Sequence, residues 1–159
     1  MGYSSIAQMG YLLLGIMTTN PYGYAAAVFY GISYCFISLA IFGSLTLLNQ
    51  KDQTVCELKD LQGLHQHHPL MAGTLLLAIF SLIGVPPLVG FMAKLGVLYD
   101  VVHTSYVVTA TVAILLSVVG AFYYLRLLRY TYFDKGKTVF AGDHYLMYFN
   151  AALLLAIGV

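Results

Sequence analysis

In the run Gly84-Val85-Pro86-Pro87-Leu88-Val89-Gly90-Phe91-Met92-Ala93-Lys94, a single lysine follows a cluster of helix-breaking residues and has apolar sequence on both sides. Every other Lys and Arg falls in a polar stretch or at the end of an apolar one. An ammonium in such a setting can load and release a proton, and its affinity for that proton follows from desolvation and from any charge brought near it. Its neighbours one helical turn away are Gly90, Phe91, Val97 and Leu98, so a counter-group must come from another helix or from the gap left by the break. If the surrounding medium is a bilayer, a charge near its centre costs about 3 kcal/mol on insertion scales, which marks Lys94 as functional by default.

Pro86 and Pro87 lack a backbone N–H and clash with the preceding turn, while Gly84 and Gly90 accept dihedrals closed to other residues, so the helix arriving from residue 70 is expected to be interrupted over 85–90. At membrane depth such a break persists only where the freed backbone groups are buried in protein or line a wet cavity, and transporters build ion sites from it. A simple kink, or a loop between two helices, is the plainer alternative. Beyond Lys94 toward the far end of the same segment stand Asp100 and His103, either part of a proton exit path or an interfacial pair that caps the half-helix. Ser4, Gln8 and Tyr11 recur on one helical face near the start of the chain, where they serve interhelical hydrogen bonding or a proton path. His65, His67 and His68 have no carboxylate or thiol at ligand spacing and read as solvated loop residues rather than a metal site. Cys35 and Cys56 are isolated thiols that imply neither a disulfide framework nor a metal.

The elements that must hold these groups follow from composition. Of 159 residues, 60% are hydrophobic and 8% charged, far below the quarter or so expected of soluble domains, and the apolar residues come in runs long enough to span a bilayer. The fold class is therefore an all-α, polytopic transmembrane helix bundle with one discontinuous helix, placed in the lipid bilayer. A net charge of +1 and the lack of a long basic tract argue against nucleic acid as a partner. The spans fall at about 3–19, 24–48, 70–102 (broken at 85–90) and 105–130, with a last stretch over 146–159 that looks truncated. The start of the chain has no basic n-region or cleavage site and does not read as a signal peptide. Asn20-Pro21-Tyr22-Gly23 marks a turn, 49–68 a long polar connection with room for one short surface helix at 54–61, and Tyr123-Tyr124-Leu125-Arg126 with Arg129 an interfacial helix end. With one broken span, Lys51, Lys59, Arg126, Arg129, Lys135 and Lys137 all lie on one side, which makes the 49–68 and 131–142 loops cytoplasmic.

Three motifs in order, Tyr3-Ser4-Ser5-Ile6-Ala7-Gln8-Met9-Gly10-Tyr11, the break Gly84-Val85-Pro86-Pro87 with Gly90-Phe91 and Lys94, and Tyr123-Tyr124-Leu125-Arg126, resemble the C-terminal part of the antiporter-like proton-pumping membrane subunits of respiratory complex I, most closely those of the subunit N type. The resemblance implies two inverted repeats, each with a broken helix and a buried lysine, with Lys94 as the lysine of the second repeat. It also implies a bacterial inner membrane, the other membrane subunits of complex I as partners, and coupling of quinone reduction to proton translocation. No cofactor is expected in this chain, because NADH, flavin, iron–sulfur clusters and quinone would be bound by other subunits. The family's first repeat has no counterpart here, so the chain is expected to be the C-terminal fragment of a longer subunit, and Gln8 stands where many relatives carry His. A subunit of a related cation/proton antiporter or membrane hydrogenase, and a non-transporting membrane fragment, are the competing expectations.

Overall fold

Residues 2–48 and 69–132 are described by the computed structural model as five α-helices with no strand among them: α1 (Gly2–Met17), α2 (Pro21–Leu48), α3 (Pro69–Ile83), α4 (Val89–His103) and α5 (Val107–Tyr132). The stretches at 54–61 and 146–159 lie outside the described residues.

The first turn sits earlier than the Asn-Pro-Tyr-Gly pattern suggests. Thr18 turns its hydroxyl back onto the Gly15 carbonyl at 2.8 Å and Thr19 takes a positive φ of 50°, so α1 ends there. Asn20 is the N-cap of α2, its carbonyl accepting from Tyr24 N–H at 3.0 Å and its side chain from Tyr22 N–H at 3.4 Å. Pro21 then opens the helix at the one position where a missing N–H is harmless, which moves the start of this helix from the expected Tyr24 to Pro21.

Helix α3 ends by a different route. Gly84 adopts φ 90°, and the N–H groups of Gly84 and Val85 both return to the Phe80 carbonyl at 3.0 and 3.1 Å, a glycine C-cap with prolines just beyond it. The Pro86–Pro87 peptide is cis, and a further turn through Leu88 leads into α4.

Helix α2 is the spine of the packing. Its second half, at Ile37 and Ile41, meets Ala72, Leu75, Ala78, Ile79 and Leu82 of α3 and Tyr124, Leu127 and Leu128 of α5. Its first half, at Tyr30, meets Tyr11 of α1, Ala93, Val97 and Val101 of α4, and Ala110 of α5. Helices α3 and α4 thus lie one after the other along α2, running against it, and α4 reaches the α1–α2 turn where Asn20 donates to Asp100 at 3.1 Å. Each has 15 residues, about 22 Å of helix, short of the roughly 30 Å hydrocarbon core. Pro21–Thr46 and Val107–Arg129 are each long and apolar enough to cross by themselves.

Candidate functional site: a lysine held across a helix break

The last carbonyls of α3 have no partner within their own helix and carry the negative end of its dipole. Lys94, in the second turn of α4, reaches back and donates from Nζ to the carbonyl oxygens of Leu82 at 2.7 Å and Ile83 at 3.0 Å. Its ammonium also stands 5.4 Å from the centroid of the Tyr11 ring, within cation–π range. The counter-group that no neighbour on its own helix supplies is therefore a pair of backbone carbonyls, and among the described residues no carboxylate reaches it.

The start of α4 has a matching need. Its N-cap, Leu88, has no side chain able to accept from the first-turn N–H groups. Instead Gly90 N–H donates to the Ser81 hydroxyl of α3 at 3.1 Å. Gly90 belongs to α4 rather than to the break, a shift from the sequence expectation, and what it supplies is closeness: a Cβ there would sit 1.8 Å from the Ser81 carbonyl oxygen. Gly84 and the exposed Pro86 and Pro87 lie between α3 and α4.

Partly buried Lys94 lines a cavity of about 640 Å³ between α1, the end of α3, α4 and α5, shared with the polar side chains of Ser4, Gln8, Tyr11, Thr109, Ser117, Tyr123 and Tyr124 and with aliphatic residues between them. A second void of about 10 Å³, close to the room one water needs, lies among Lys94, Gln8, Tyr30 and Ser81. Gln8 is the hub of the polar wall. It accepts from the Tyr30 hydroxyl and donates from Nε2 to Tyr124 Oη at 3.2 Å, and Tyr124 Oη in turn bonds Ser4 Oγ. Tyr11 donates to the Ala113 carbonyl at 2.8 Å.

Asp100 and His103 line neither space. The Asp100 carboxyl is buried at the N-terminus of α2, where Oδ1 accepts from Asn20 and Oδ2 has no hydrogen-bond partner among the described residues. His103 is exposed and its ring meets that of Tyr99 at a tilt of 55°, with centroids 4.3 Å apart. No hydrogen bond or ion pair joins the two among the described residues. Sequence reasoning missed Tyr30 and Ser81, and it took Tyr124 for an interfacial aromatic, whereas Tyr124 is buried and bonded to Gln8. A lone hydroxyl three residues before a helix-ending glycine was the available signal for Ser81.

Residues 1–120, which include Gln8, Ser81, the break and Lys94, match the family described as NADH:quinone oxidoreductase/Mrp antiporter, transmembrane. The chain belongs to this family. It is 41% identical over 177 residues to the NADH-quinone oxidoreductase subunit N of Polaromonas naphthalenivorans, covering 100% of this chain and 35% of that protein. The corresponding subunit of Coxiella burnetii is 44% identical over 135 residues, 85% of this chain and 28% of its own length. Among solved structures, respiratory complex I from Thermus thermophilus with bound aureothin matches 98% of this chain and 35% of the other, at 29% identity and a TM-score of 0.83. The Mrp complex from Dietzia sp. matches 89% of this chain and 25% of the other, at 26% identity and a TM-score of 0.73. The chain thus spans about a third of the length of the curated relatives it matches. It is an all-helical, antiporter-like integral membrane protein.

Proposed function

We propose that this chain forms part of a proton-translocating membrane subunit of an NADH–quinone oxidoreductase complex, in which Lys94 is the group that loads and releases the proton. The observation that carries the proposal is the setting of Lys94: an ammonium placed across a helix break, bonded to the Leu82 and Ile83 carbonyls and opening onto a cavity whose polar wall is Gln8, Tyr11 and Tyr124. A lysine needed only for packing is replaceable by an apolar residue with little loss, because burying an ammonium is unfavourable unless its partners offset it. Backbone carbonyls accept hydrogen bonds but carry no full charge, so they leave the proton on Lys94 responsive to a charge arriving elsewhere. In this view α3 and α4 together make one interrupted crossing, the 49–68 and 131–142 loops face the cytoplasm of a bacterial cell, and the partners are the other membrane subunits of the complex. NADH, flavin, iron–sulfur clusters and quinone belong to those other subunits.

The test is proton uptake by membrane vesicles driven by NADH oxidation, with assembled complex quantified alongside. Lys94→Met is expected to leave assembly intact and sharply reduce uptake, and Lys94→Arg to restore it only in part, because a guanidinium keeps its proton across the working range. Wild-type uptake by the Met variant would remove Lys94 from the mechanism. The match to an Mrp complex favours a second reading, a cation/proton antiporter subunit, which predicts proton movement driven by a cation gradient without NADH.

A further inference from the structure

The two half-helices exchange caps. The α3 carbonyls left over at Leu82 and Ile83 are taken by Lys94 of α4, and the α4 N–H left over at Gly90 is taken by Ser81 of α3. From this reciprocity we infer that Ser81 is a positioning residue for Lys94: its hydroxyl fixes the first turn of α4 on the last turn of α3 and so sets where the ammonium meets its carbonyls.

Three observations converge on this role. The hydroxyls within α2 at Ser33, Ser44 and Thr46, and Thr111 in α5, turn back onto the carbonyl four residues earlier, as hydroxyls in helices commonly do. Ser81 departs from that habit and faces the N–H of another helix. It does so where no local alternative exists, since Leu88 offers no acceptor and both Ser81 and Gly90 are buried away from solvent. The backbones also touch there: the absent Cβ of Gly90 would lie 1.8 Å from the Ser81 carbonyl oxygen and 2.9 Å from its hydroxyl, so the hydroxyl and the lack of a side chain opposite it act on one contact.

Gly90 and Lys94 are one helical turn apart in a continuous helix, so a displacement at Gly90 is carried to Lys94 with little loss. Ser81 also lines the small void shared by Lys94, Gln8 and Tyr30, which puts its hydroxyl within the polar surroundings of the ammonium as well as at the contact between the helices. Without the hydroxyl, α4 is free to slide or rotate on α3, and Nζ no longer meets two carbonyls at once. A misplacement of this kind at a reacting group lowers rates by about tenfold or more.

This role rests on the proposed function of Lys94, so the experiment carries Lys94→Met beside the Ser81 variants. In the assembled complex, proton uptake per NADH oxidised is measured for Ser81→Ala, Ser81→Thr and Ser81→Val, each normalised to the amount of complex. Thr and Val have nearly the same bulk and differ by the hydroxyl, so any crowding is common to both. The expected result is wild-type assembly throughout, uptake down about tenfold in the Ala and Val variants, and uptake largely kept in the Thr variant. Wild-type uptake by Ser81→Ala, a Thr variant no better than Val, or loss of assembled complex in Ser81→Ala would each overturn the inference, the last by making Ser81 a structural residue only. If Lys94→Met itself pumps like wild type, it is the role of Lys94 that fails. If Lys94→Met stops pumping and Ser81→Ala does not, the role of Ser81 alone fails.

Discussion

Adding one methyl group at Gly90 should push α3 and α4 apart. A Cβ there would lie 1.8 Å from the Ser81 carbonyl oxygen and 2.7 Å from its carbonyl carbon, both backbone atoms of a buried helix that cannot rotate aside. Carbon and oxygen in close contact settle at about 3.3 Å, so α4 must move away by about 1.5 Å. That movement lengthens the Gly90–Ser81 bond from 3.1 Å and the Lys94 bonds from 2.7 and 3.0 Å beyond hydrogen-bonding reach unless the lysine stem extends to follow. Overpacking of this kind costs about 1–3 kcal/mol and the lost N–H bond about 1 kcal/mol more, against roughly 1 kcal/mol regained from the better helix propensity of alanine. The net expectation for Gly90→Ala is a loss of about 1–3 kcal/mol in local stability, with proton uptake falling further than assembly. Gly73→Ala is the control, because a Cβ at that position on α3 meets nothing within 4 Å among the described residues. Thermal inactivation of the assembled complex and vesicle proton uptake, measured for both variants, decide the matter. A Gly90→Ala complex that behaves like Gly73→Ala would refute the close contact and with it the account of how α4 is seated.

Asp100 and Gln8 yield two further expectations. Asp100→Asn keeps an acceptor for Asn20 and is expected to pump at wild-type stoichiometry, whereas Gly23→Ala, whose Cβ would meet Thr18 Oγ1 at 1.9 Å and Asp100 Oδ2 at 2.5 Å, should reduce the yield of assembled complex; a pumping defect in Asp100→Asn at normal assembly would instead favour an exit path through that carboxyl. Gln8→Leu strands the buried Tyr30 hydroxyl at about 1–3 kcal/mol, while Tyr124 keeps its bond to Ser4, and should lower thermal stability; Gln8→His retains a polar hub and should retain proton uptake, so equal stability of the Leu and wild-type complexes would count against the network.

The end of α3 before the prolines was legible because its causes are local. Pro86, Pro87 and a glycine at positive φ act through covalent geometry and short-range clashes, which residue types report directly. The acceptors of Lys94 were not legible, because a backbone carbonyl belongs to every residue and only the end of α3 makes those of Leu82 and Ile83 available. Gly90 was visible as a glycine but with the wrong purpose, since permissive dihedrals and close approach call for the same residue. Tyr123 and Tyr124 show a further limit: adjacent in sequence, one is exposed and the other buried against Gln8. In a helix that is apolar nearly all round, hydrophobicity marks no inward face, because a lipid-facing Leu and a core Leu are equally content. Polar residues break that degeneracy. Ser4, Gln8 and Tyr11, spaced on one face of α1, each bond a neighbouring helix, and Tyr124 acquires its inward orientation by being what Ser4 and Gln8 bond. In a membrane protein of this kind the few hydroxyls and amides, rather than the many aliphatic side chains, carry the information about which faces meet, and Ser81 extends that rule from the packing of helices to the placing of the ammonium.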